Sequence, residues 1–129
     1  MIQYALMMMV QAAASPTFAN NRVPDVALVS NLEKSIVMPK GAGQLASYNR
    51  SYTEAYINGK DTIIGQMIDH GMAEMIAKSQ HKPAPPPVRR ALMNEIMPAF
   101  DGGCGILTVF YEVGANGAPK VVCNPDGPH

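Results

Sequence analysis

Tryptophan is absent from this chain of 129 residues, and three phenylalanines and five tyrosines supply all its aromatic surface. With so few rings, stacking on bases or sugars is not advertised. Neither sign of charge is in excess, since ten lysines and arginines balance ten aspartates and glutamates. That balance gives no electrostatic ground for expecting nucleic acid or an anionic membrane as a partner. Charged residues make up only 16% of the chain, below the usual share of about a quarter, which argues against a disordered chain. Several chemical signatures are missing too. There is no G-x-S-x-G, no phosphate-binding glycine loop, no dinucleotide fingerprint and no HExxH, so no cofactor is expected. What is present is ample apolar material, 47% of residues, in a length that suits a single domain.

The first nineteen residues differ from the rest. Met1 to Ala19 holds no charged side chain, carries an apolar run from Tyr4 to Val10, and ends in small residues at Ala12-Ala13-Ala14 and Thr17-Phe18-Ala19. This is the outline of a secretory signal peptide, although the basic n-region is missing. The competing reading is an N-terminal helix packed on the domain. The run is too short for a stable bilayer anchor, so no integral membrane segment is expected in the mature chain. Export would place residues 20–129 in the periplasm or outside the cell. Only two cysteines, Cys104 and Cys123, lie in that part. In an oxidising space a pair invites one disulfide, closing a loop of about 20 residues that stabilises by roughly 3 kcal/mol. In the cytosol the same pair would read as buried thiols.

Along the chain, Asp25 is placed to cap a helix in which Leu28, Val29, Leu32 and Ile36 recur on one face, with Pro39-Lys40-Gly41 as its stop. A second, shorter helix is expected over Leu45 to Tyr52. Asn58-Gly59 is the clearest local signal, because a type I′ turn needs positive φ at two successive residues. Its flanks, Tyr52 to Ile57 and Asp61 to Ile68, are β-branched and aromatic, which predicts a β-hairpin. Gly71 to Lys78 reads as one or two helical turns with Met72, Met75 and Ile76 inward. His81 to Pro87 (HKPAPPP) cannot be regular helix or central strand, and is expected as an exposed, extended loop. Val88 to Met97 reads ambiguously, although Leu92, Ile96 and Met97 suit a short helix that Pro98 ends. Ile106 to Val113 and Lys120 to Cys123 form a second hairpin around Gly114 to Pro119, and residues 124–129 form a flexible tail. The expected fold is α+β: a small antiparallel sheet built from two β-hairpins, with one or two helices packed on one face.

Few residues combine into chemistry. His70 and Glu74 would share a helix face beside Asp69, a trio able to ligate a metal or move a proton, and Asp101 could join them in a small metal-dependent hydrolase. Solvated polar side chains account for this spacing more simply. Met72, Met75, Met93 and Met97 with His70 offer soft ligands that suit Cu(I), although methionine at helical spacing usually fills a core. Cys104 lies among glycines with no base nearby in sequence, so a disulfide is a plainer role than a nucleophile. Pro83 to Arg90 has the form of a polyproline II ligand, and equally of a stiff spacer. Tyr48, Tyr52 and Tyr56 are the first candidates for a binding face, against the alternative that they are half-buried core.

Met97-Pro98-Ala99-Phe100-Asp101-Gly102-Gly103-Cys104-Gly105, the strand that follows, and Val122-Cys123-Asn124 are joined upstream by Leu45-Ala46-Ser47-Tyr48-Asn49-Arg50-Ser51-Tyr52. Together these resemble an uncharacterised family of small exported proteobacterial proteins with a DGGC…CN ending. The resemblance spans about Val26 to Asn124. It implies periplasmic placement and a Cys104–Cys123 bridge, and it implies no activity. The chain departs from the pattern in its Met72 to Arg90 stretch and its charge-poor leader. The function expected is a non-catalytic periplasmic domain that binds an unknown protein or small ligand through a sheet face or hairpin. The hydrolase and the copper-binding protein are the alternatives.

Overall fold

The computed structural model describes residues 20–96 and 101–125. The proposed signal peptide, Met97 and residues 126–129 lie outside the described residues. Helix α1 spans Val26–Lys34 and starts at Asp25, which occupies the N-cap position without a side-chain cap bond. A 3-10 turn at Leu45–Ser47 leads into strand β1, Tyr48–Ile57, and β2 follows at Lys60–Asp69. Helix α2 is His70–Ser79, and the short strand β3 is Val88–Arg90. Strands β4, Ile106–Glu112, and β5, Lys120–Cys123, complete one five-stranded sheet of order β3-β1-β2-β4-β5. The fold is α+β.

Both hairpins form. β1 and β2 pair antiparallel from Tyr48↔Asp69 to Ile57↔Lys60, and Asn58 and Gly59 adopt φ of 53° and 76° as the two-residue turn requires. β4 pairs with β5 from Leu107↔Cys123 to Phe110↔Lys120, and joins the first hairpin by pairing with β2. Parallel pairing of β3 with β1 makes the sheet mixed.

Three local expectations are corrected. Leu45 to Tyr52 is helical only through Ser47, because the four-residue spacing of Tyr48 and Tyr52 serves a helix and a strand alike, and ten cross-strand pairs from β2 decide it. Val88 to Arg90 is a strand, not the start of a helix. The prolines before it hold the chain extended, and the Pro87 carbonyl accepts the Arg50 amide at 2.8 Å. The start of the tail is tied down. Asn124 donates its amide to the Ile106 carbonyl, and the Pro125 carbonyl receives the amides of Gly102 and Gly103.

Strand alternation gives the sheet two unlike faces. The first carries Tyr48, Tyr52, Ile63, Met67, Leu107 and Val109, buried together against Val29 and Leu32 of α1. Gly65 opens room for this packing, because a Cβ there would lie 2.6 Å from the Tyr52 ring and 3.1 Å from Val109 Cβ. Each fully buried large side chain contributes about 1.5–3 kcal/mol, so this face holds the fold together. The second face carries smaller and more polar residues, among them Ser51, Thr53, Ala55, Thr62, Gln66 and Thr108. Helix α2 crosses the end of this face, with Ala73 and Ala77 buried.

Candidate functional site

Tyr48 and Tyr52 are 4% and 0% exposed, while Tyr56 is 47% exposed. The Tyr48 hydroxyl donates to the Cys104 carbonyl at 2.8 Å and accepts the Gly43 amide at 2.9 Å. The Tyr52 hydroxyl donates to Glu33 Oε2 at 2.7 Å, and Arg50 adds bonds of 2.8 and 3.1 Å to the same carboxylate. Partial burial disfavours the Glu33 carboxylate, but the bonds from Arg50 and Tyr52 and the Arg50 charge outweigh it and hold the group below its ordinary range. Burial, then the hydrogen bond and charge of Glu33, push the Tyr52 phenol up. These two tyrosines therefore fasten α1 and the disulfide loop to the sheet and offer no face to a partner. At the hairpin end, Arg22 bridges Glu54 at 3.0 Å and Asp61 at 2.7 Å. Burial and the Asp61 carboxylate push the Glu54 carboxyl up against the pull of Arg22.

Cys104 and Cys123 form a disulfide, with Cα atoms 4.5 Å apart. The DGGC…CN residues around it work as a clasp. Gly102 and Gly103 have φ of 130° and 59°, positive values that glycine adopts at no steric cost, and so turn their amides onto Pro125. Thr108 donates to Asn124 Oδ1 at 2.8 Å.

The Asp69, His70, Glu74 and Asp101 set does not converge. Asp69 caps α2, accepting the amides of Gly71 at 3.0 Å and Met72 at 3.3 Å. Glu74 and Asp101 are exposed, and among the described residues no three of His, Cys, Asp and Glu are placed to hold a metal ion. Met72 and Met75 also face different surroundings. A Cβ on Gly105 would lie 2.9 Å from the end of Met72, while Met75 is 72% exposed rather than inward. Alanines at 73 and 77 let α2 lie close to the sheet and turn Met75 outward.

The described residues do form a cavity on the second face. A groove of about 540 Å³ lies between the sheet, α2 and the proline segment, within the size range of small-molecule sites. Its apolar wall includes Ile68, Ala73, Ile76 and Ala77, its rim includes Pro83, Pro85 and Pro86, and its polar end includes Ser51, Gln66 and Arg89. The rim is latched. Asn49 donates its amide to the carbonyls of Pro85 at 3.0 Å and Pro86 at 3.3 Å. This leaves Asn49 Oδ1 for His70 Nδ1, while His70 Nε2 lies 3.0 Å from the Ala46 carbonyl. His70 thus supports the groove wall from outside. β3 places Arg89 opposite Ser51 in the pairing register. The guanidinium donates from Nη2 to the Glu95 carbonyl at 2.6 Å, and its Nε is buried without a hydrogen-bond partner.

Ser51, Gln66 and Arg89 were not singled out from the sequence. The signal was available in part, since Asn49, Ser51 and Thr53 alternate with the tyrosines and mark a polar second face. What linear sequence could not show is that the proline run folds over that face. Comparison with protein-family models, with curated proteins and with solved structures gave no match.

Proposed function

We propose that the protein is a non-catalytic binding domain of an oxidising, extracytoplasmic space, and that it takes a small ligand in the groove between the sheet, α2 and the proline segment. The observation that carries this reading is the groove itself. It has an apolar wall, a few polar groups at one end and a latched rim, which is how small-molecule sites are built. The disulfide is compatible with an exported protein, and no helix among the described residues is long and apolar enough to cross a membrane. The hydrolase reading lacks a convergent set of side chains among the described residues, and the copper reading lacks a shared point for Met72 and Met75.

The test uses protein recovered from the periplasm. Its intact mass, before and after reduction, should show loss of the leader and a gain of two protons. Amide shifts recorded against a library of small organic compounds should then move at Ser51, Gln66 and Ala77 while the Tyr52 region holds still. Shifts confined to the Tyr56 hairpin, or a retained Met1, would overturn the reading.

A further inference from the structure

The chemistry of the groove narrows its ligand, an inference that rests on the reading just given. We infer that the groove binds a small amphiphilic carboxylate, with the apolar body along Ile68 and Ile76 and the carboxylate at Arg89. Three observations converge on this. Arg89 lines the groove, and among the described residues its guanidinium commits Nη2 alone, to the Glu95 carbonyl, which leaves donors for an anionic group. Among the described residues, the other charged side chains in the lining are Lys82 and Glu95. Glu95 is turned back on its own 3-10 turn, where Oε1 accepts the Leu92 amide at 2.8 Å, so the end near Arg89 favours an anion. Ser51 sits beside Arg89 in register, and a hydroxyl donor next to a guanidinium suits the two oxygens of a carboxylate.

A phosphate or sulfate head group fits less well. Such anions favour several converging cations or a helix N-terminus. The first amides of α2 are already taken by the Asp69 carboxylate, and Arg89 has one of its donors committed to the Glu95 carbonyl. The wall supplies the rest of the specificity. Ala73 and Ala77 keep it low, and Ile68, Ile76 and the prolines make it apolar, which suits an acyl or aryl body rather than a sugar.

Octanoate is the probe, titrated by calorimetry into the disulfide-bonded protein, with octanol, octylamine and octyl sulfate as the comparison arms. Octanoate should bind at least tenfold more tightly than the other three, and Arg89→Met should remove that preference. Ile76→Trp, which fills the groove and leaves Arg89 in place, should abolish binding of every arm. The carboxylate inference falls, with the groove reading intact, if octanol or octyl sulfate matches octanoate while amide shifts still map to Ser51 and Ala77. Both fall together if octanoate binds equally to wild type and to Ile76→Trp, or if no arm moves those amides.

Discussion

The two faces of the sheet use the same kind of residue in opposite ways, and their arginines show it best. Arg50, on the α1 face, spends its guanidinium on Glu33 and on the carbonyls of Leu45 and Tyr48. Arg89, on the α2 face, makes one bond to a carbonyl and keeps a buried donor without an acceptor. Buried polar groups are satisfied where a fold is being stabilised, and exceptions call for another explanation. The α1 face is thus a core with its polar groups closed. The α2 face is a wall left incomplete.

Truncating the wall on each side should break this comparison most sharply. Leu107 is wholly buried in the α1-side core, so Leu107→Ala should cost about 2–5 kcal/mol in a urea titration. Ile76 is only half-buried at the groove, and Ile76→Ala should cost about 1 kcal/mol or less, because little apolar area leaves contact with protein. Equal losses at the two positions would mean that the second face is core as well.

A smaller effect follows from the closed network. Arg50→Met leaves the Glu33 carboxylate half-buried beside Tyr52 without its cation, and should cost about 2–4 kcal/mol at neutral pH. The network also sets the acid limb of stability. Glu33 has a lower affinity for protons folded than unfolded, so its contribution is complete above the unfolded carboxylate range and is lost as pH falls through the lower, folded value. Glu33→Gln should flatten that limb while reducing stability at neutral pH. An unchanged acid limb would show that the Arg50 pairing is not felt in solution.

The sequence made the α1 side far more legible than the α2 side, and the reason is physical. Asn58-Gly59 determines a turn by local sterics alone, and β-branched flanks fix the hairpin around it. Val29 and Leu32 repeat at the helical period whatever they pack against. Cys104 and Cys123 needed only proximity, which the second hairpin supplies. The α2 side depends on contacts between distant segments. Nothing near Pro85 in the sequence says that its carbonyl will receive Asn49, or that Val88 to Arg90 will pair in parallel with β1. The tyrosines show the same limit. Their spacing at 48, 52 and 56 shows a shared face, but it cannot say that α1 and the Gly43 loop cover two of them.

The smallest effect is also the most discriminating. Arg89→Met removes one hydrogen bond to a half-exposed turn, whose carbonyl water can satisfy, and it removes the burial of an unpaired Nε donor at the same time. The first change costs roughly 0.5–1.5 kcal/mol, and the second returns about 1–3 kcal/mol. The net result should be no loss of stability or a small gain, read as a urea midpoint that stays or rises at constant slope. Arg50→Met and Arg89→Met would then be opposite in sign, although both remove a guanidinium from a strand of one sheet. A cost to the fold at or below zero is the outcome that a binding role for Arg89 requires. A loss of about 2 kcal/mol or more in Arg89→Met would make it a structural arginine like Arg50, and the groove would lose its claim to an anion.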